Sequence, residues 1–231
     1  MTRKEILTKS PLREVIPGEA EPCAPGTLGA VIARAGVGKT SVLAQIAING
    51  LLDEKNVLHV SLNDPVRKVC LWYEEVFNHL AARYRFAQTV DLWETVLKNR
   101  FIMTFRAEGF SVPRLSERIN DLTEQGVFYP QIVVMDGIPV DNRLEQTVAA
   151  LSTLAAENNL CLWLSLRADK DDDMAATGWP KSLASLSSHF FLALKLAPAN
   201  GKVIVSTLAP NQPQQNPDLT LDPATMLVVK A

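Results

Sequence analysis

Eight consecutive residues have the types and spacing to hold a polyphosphate: Ala33-Arg34-Ala35-Gly36-Val37-Gly38-Lys39-Thr40. The apolar run Leu28-Gly29-Ala30-Val31-Ile32 precedes them, and an amphipathic run with Leu43, Ile46, Ala47 and Leu51 on one face follows. Strand, glycine-bearing loop and helix in that order give a phosphate-binding loop. Backbone N–H groups and the helix N-terminus make a positive concavity for phosphate oxygens. Gly36 and Gly38 permit the backbone angles and close approach this requires. Ala35, Gly36, Val37, Gly38, Lys39, Thr40 and Ser41 are the expected nucleotide-binding residues, with Lys39 on the β- and γ-phosphates and the Thr40 hydroxyl on Mg²⁺. A chance Gly-Lys-Thr at a helix start is the competing explanation, and the surrounding pattern opposes it. Alanine at position 33 replaces the first glycine of the usual pattern.

A bound Mg²⁺ also needs a carboxylate at the end of a neighbouring buried strand. Ile132-Val133-Val134-Met135-Asp136 has that form, and Asp136 is expected to orient a water on the metal. A simple turn at Asp136-Gly137 is the alternative role.

These residues need elements to position them. Residues 1–27, with Pro11, Pro17, Gly18, Pro22, Pro25 and Gly26, read as an irregular lead. Residues 28–231 read as one domain. Strands are expected near residues 28–33, 57–62, 101–105, 132–136 and 160–166, separated by helices. Asp64 is expected to cap the helix that begins near Pro65, with Val66, Val69, Cys70, Tyr73, Val76, Phe77, Leu80 and Tyr84 on its apolar stripe. Residues 190–196 and 203–208 read as one hairpin, residues 219–221 and 226–229 as another. The expected fold is α/β, with a mainly parallel sheet and antiparallel C-terminal hairpins.

The bulk composition narrows the partners. Lys+Arg 23 against Asp+Glu 25 leaves a formal charge of −2. No basic excess favours nucleic acid. Cys23, Cys70 and Cys161 are widely spaced and read as small core residues, so a reduced cytoplasm is the expected compartment. Met1 to Glu14 lacks the apolar stretch of a secretory signal, and no run reaches the length of a membrane span. His59, His79 and His189 are too far apart for a metal site. Ser165 lies in a buried strand without the glycines of a hydrolase nucleophile.

The quoted motifs resemble a family. The loop at residues 33–40 is similar to the A-R-P-G-M-G-K-T form in the motor domain of DnaB-type replicative helicases, which also begins with alanine. Val60-Ser61-Leu62-Asn63 resembles that family's strand ending in Ser-Leu-Glu. Ile132 to Asp136 resembles its Mg²⁺-carboxylate strand, and residues 219–225 its closing strand and turn. The resemblance implies the RecA-like P-loop core shared with KaiC-type and recombinase ATPases. It also implies ATP or ADP with Mg²⁺ as ligands.

Three departures from the family weaken the expected catalysis. Asn63 stands where the resemblance places a water-activating glutamate, and an amide cannot take the proton. Asp64 beside it is either a substitute base or a helix cap. Leu208-Ala209-Pro210 stands where the family supplies a cation to a neighbouring subunit's γ-phosphate. The segment after Arg167 carries Asp169, Asp171, Asp172 and Asp173 where DNA-translocating relatives need basic loops. It is either a solvated loop or an acidic metal or partner site. Arg167 itself is a candidate γ-phosphate sensor, against a surface arginine.

The expectation is a cytoplasmic ATP-binding protein with slow or lost hydrolysis, whose nucleotide state gates an unknown protein partner. An active ATPase that works in a homo-oligomer and uses Asp64 or another carboxylate is the alternative. DNA binding, a membrane partner and a small-molecule kinase are disfavoured.

Overall fold

The parallel strands of the computed structural model all end on one edge of a nine-stranded sheet, ordered β3-β2-β4-β5-β1-β6-β7-β8-β9. The structure describes residues 3–13, 24–86, 89–169, 172–199, 201–210, 214–215 and 217–231. Strands β1 (Thr27–Ala33), β2 (Val57–Ser61), β3 (Arg100–Thr104), β4 (Ile132–Asp136) and β5 (Cys161–Arg167) are parallel, and β6 (Leu192–Ala199) joins β1 in the same direction. Strands β7 (Lys202–Leu208), β8 (Leu219–Leu221) and β9 (Val228–Lys230) extend the sheet antiparallel. This is the expected α/β arrangement. Continuous apolar runs form the central strands because both sheet faces are covered.

Alternation along the strands sorts their residues between two cores. One face holds Val31, Val57, Val134, Cys161 and Trp163 against α2 (Lys39–Leu52) and α3 (Val66–Tyr84). The other holds Leu28, Leu58, Val133, Leu162 and Leu164, covered by α5 (Val112–Glu124), α6 (Leu144–Glu157) and a 3-10 segment, Lys181–His189. The same alternation carries His59, Ser61, Asp136 and Ser165 onto the α2 face. That face and that edge together make the site. A short helix, α4 (Thr89–Leu97), packs Val96 into the first core.

The lead differs from expectation. Residues Arg3–Lys9 form helix α1 and Pro11–Arg13 a 3-10 turn. Ile6 and Leu12 are buried in the core shared with α2, and the Asn49 side chain donates to Ser10 Oγ at 2.9 Å. These long-range contacts order a segment whose local composition favours irregularity. Residues 14–23, including Pro17, Gly18, Pro22 and Cys23, lie outside the described residues. The polar stretch after Arg167 also gains structure, because Trp179, Leu183 and Leu186 are buried in the second core. On α3 the expected stripe holds except at Val66, which is 46% exposed, and Cys70, which is half-buried. No helix among the described residues is long and apolar enough to cross a membrane.

One buried base is conspicuous in this packing. His59 is 2% exposed, its Nδ1 lies 3.1 Å from the Tyr73 hydroxyl, and its Nε2 is buried without a partner among the described residues. Burial, assisted by the Arg100 charge and opposed by Asp136 and Asp64, pushes its pKa from 6.5 down to about 4. The unfolded chain therefore binds a proton in this window that the folded chain refuses. Stability falls as the pH drops from about 6.5 towards about 4, with a limiting slope of about 1.4 kcal/mol per pH unit. Urea unfolding of the wild type and of His59→Gln across that range checks this. The variant should show the shallower dependence, and parallel profiles would refute the assignment.

Candidate nucleotide site

Strand β1 ends at Ala33, and the chain turns through Gly36 (φ 75°) and Gly38 (φ 110°) into α2. Both angles lie in the left-handed region that favours glycine. Gly38 has a second reason to be glycine. A Cβ there would lie 2.5 Å from Leu221 and 2.8 Å from Met226. The Val42 N–H bonds the Gly38 carbonyl at 3.1 Å, so the N–H groups of Lys39, Thr40 and Ser41 precede the first intrahelical bond. They open towards the loop and supply its positive end.

Lys39 is half-buried and folded back on its own loop. Its Nζ donates to the carbonyls of Ala33 at 3.0 Å and Arg34 at 2.9 Å. Burial lowers its pKa; Asp136 opposes that shift and Arg167 adds to it. Two cations thus act on one small volume at the ends of β1 and β5. Arg167 pairs with Ala33 in the parallel register, and its side chain is exposed.

Thr40 and Asp136 meet across the site. The Thr40 hydroxyl donates to Asp136 Oδ2 at 2.6 Å, bringing together residues 96 positions apart. This is the pair the sequence proposes for Mg²⁺. Its donor set suits that ion: hard oxygens, few in number, at an edge open to water. A threonine hydroxyl that spends its one proton on the carboxylate keeps its lone pairs for a cation.

Ser41 plays a different part from the other loop residues. Its side chain is buried, and its hydroxyl donates to the Met226 carbonyl at 2.6 Å. Gln45 Nε2 donates to the same carbonyl at 2.9 Å, and Gln45 Oε1 accepts the Val228 N–H at 2.9 Å. The β8–β9 turn is therefore fastened to the first two turns of the helix that carries the loop. Of Ser41, the backbone N–H remains for phosphate.

Beside the carboxylate, Asn63 is exposed and its amide lies over Gly137. A Cβ on Gly137 would collide with that amide, so glycine there admits Asn63 to the strand end. Asp64 does not cap α3. The N-cap residue is Pro65, with no side-chain cap bond. Asp64 instead donates its N–H to Ser61 Oγ at 2.9 Å and pairs its carboxylate with Lys68 at 2.9 Å, four residues on. Extended backbone at Pro65 carries Asp64 back to the turn after β2, and the helical spacing brings Lys68 over it.

The acidic segment is partly absorbed by structure. Asp172 accepts from the Ser182 backbone and hydroxyl, and Asp173 pairs with Lys181 at 2.8 Å. No group of three or more potential ligands is poised for a metal among the described residues. Lys170 and Asp171 lie outside those residues. Leu208 is buried in the second core, at the end of the sheet remote from the loop.

Sequence reasoning misses Ser165. It is 3% exposed, donates to Asp136 Oδ1 at 2.5 Å, and accepts the Gly137 N–H at 3.0 Å. The signal available is positional: β5 separates β4 from β1, so a polar residue near its end must face the Mg²⁺ carboxylate.

The sheet order and the loop at the end of β1 define the RecA-like class of P-loop fold. Among solved structures 458 chains match this one. One of them is the ATPase domain of a DnaB-type helicase, at a TM-score of 0.65 and 15% identity over 90% of this chain and 86% of that one. At such identity the likeness is one of fold. No family model and no curated protein matches the sequence.

Proposed function

We propose that this chain binds ATP or ADP with Mg²⁺, hydrolyses ATP slowly or not at all, and uses its nucleotide state to gate a protein partner in the cytoplasm. The single observation that carries the binding step is the Thr40–Asp136 contact at 2.6 Å beside the Lys39 ammonium. Lys39 spends two of its three donors on loop carbonyls, which leaves the third for a phosphate oxygen. When bound, Mg²⁺ supplies charge neutralisation of the phosphates. Thr40 and Asp136 would hold it, the latter through water. Arg167 stands on the neighbouring strand as the candidate sensor of the terminal phosphate.

The gating reading rests on the C-terminal turn. Leu221 and Met226 abut Gly38, and Met226 is tied to Ser41 and Gln45. A loop that shifts to accept phosphate presses on that turn. Calorimetric titration with ATP tests the reading, in Mg²⁺ and in chelator. Saturable binding that tightens with Mg²⁺ is expected, and an absence of heat in both conditions overturns it.

The alternative, an active ATPase in a homo-oligomer, needs a base. Asp64 is the nearest acidic candidate in sequence, and its pairing with Lys68 opposes that role. DNA is not an expected partner. The chain carries a net charge of −2, and Asp169, Asp172 and Asp173 occupy the segment where a motor needs cations. Fluorescence anisotropy with single- and double-stranded oligonucleotides at physiological salt should show no micromolar affinity. Micromolar or tighter binding would revive the motor reading.

A further inference from the structure

We propose that Ser165 is a positioning residue for the Mg²⁺ carboxylate, a role that rests on the nucleotide–Mg²⁺ reading above. Asp136 is the only group it donates to among the described residues, and the geometry fixes that donation. A serine hydroxyl has one proton and two lone pairs. The Gly137 N–H occupies a lone pair at 3.0 Å, which turns the proton towards Asp136 Oδ1 at 2.5 Å. The Thr40 hydroxyl meanwhile donates to Oδ2 at 2.6 Å. Two hydroxyl donors, one on each oxygen, set the plane of the carboxylate. Neither oxygen can turn away without losing a bond at a site where Ser165 is shut off from water, at 3% exposed.

The arrangement also explains why the clamp comes from β5. That strand lies between β4, which carries Asp136, and β1, which carries the loop. Ser165 thus links the carboxylate to the strand that ends in Arg167, the candidate phosphate sensor. Residues that orient a metal-binding carboxylate in this way typically change metal affinity by about 10- to 100-fold when removed.

The test measures the affinity of a fluorescent ATP analogue while Mg²⁺ is titrated from chelator upwards. Ser165→Ala should raise the Mg²⁺ concentration needed for half-maximal tightening by about 10-fold. Its affinity in chelator should equal that of the wild type, because the Lys39 contacts are untouched. Ser165→Thr should restore the Mg²⁺ response, since it restores the hydroxyl. Ser165→Cys keeps the volume and offers only a weak donor, and it should lie between alanine and wild type; it serves if alanine fails to fold. A general packing role would instead weaken binding equally with and without Mg²⁺. That result, or an unchanged Mg²⁺ midpoint in folded Ser165→Ala and Ser165→Cys, overturns the proposal while the nucleotide reading stands. A wild type whose analogue affinity ignores Mg²⁺ overturns both.

Discussion

Lys39→Ala is expected to abolish detectable ATP binding while the fold stays intact. In the structure the Lys39 ammonium is half-buried, its pKa lowered chiefly by lost hydration, and its partners are two loop carbonyls. A triphosphate would return the missing negative charge to that volume. Hydrogen bonds to charged groups contribute about 1.5–3 kcal/mol each. Losing the lysine's phosphate bonds therefore lowers affinity by at least about tenfold per bond, before the loss of its net charge. The nucleotide-free protein does not depend on this side chain for packing, because alanine removes a desolvated charge and leaves the loop carbonyls facing water. Two measurements separate binding from folding. Calorimetry should give saturable binding for the wild type and none for the variant. Thermal unfolding without nucleotide should give similar midpoints for both, whereas ATP at about 100 times its dissociation constant should stabilise only the wild type, by about 2.7 kcal/mol. Equal affinities would show that the phosphate site lies elsewhere.

The same residues show what a sequence makes legible and what it does not. The loop, Asp136 and the parallel strands are readable because each is local: glycines at fixed spacing, or an apolar run ending in a carboxylate. Strand boundaries agree within one or two residues for β1, β2, β4 and β5. Asp64 misleads because two local devices compete for one side chain. A helix start with Asp before Pro suggests a cap, but an i,i+4 lysine offers a charged partner at the same cost in order. Helix α1 escapes a local reading because its stability comes from Ile6 and Leu12 meeting α2, contacts that no window of sequence contains. Ser165 is silent for the same reason. Its partner stands 29 residues away on another strand, and only the strand order places the two together. The fastening of Met226 to Ser41 and Gln45, 185 and 181 residues apart, leaves no mark in composition or period.

Wild-type turnover is expected to be far below that of a motor ATPase, and Asn63→Glu is expected to raise it. Removal of a general base typically costs about 10²- to 10⁴-fold. Asn63 lies over Gly137, next to the end of the strand that carries Asp136, so its position suits a group that contacts the attacking water. Its amide offers hydrogen bonds but takes no proton. Glutamate at this exposed position adds a carboxylate and one methylene, without a burial penalty. Self-assembly should not rescue the wild type. The residue aligned with a trans cation, Leu208, is buried in the second core and has no charge to give a neighbour, and a missing arginine finger typically costs about 10³- to 10⁵-fold. Single-turnover hydrolysis of radiolabelled ATP, measured across protein concentration, reads both effects. A slow, concentration-independent wild-type rate and a measurably faster Asn63→Glu rate are expected. Asp64→Ala supplies the control. It removes a partly exposed ion pair with Lys68 rather than a helix cap, so stability should change by only a few tenths of a kcal/mol, and turnover should not move. Fast wild-type hydrolysis abolished by Asp64→Ala would make Asp64 the base and the protein a working ATPase.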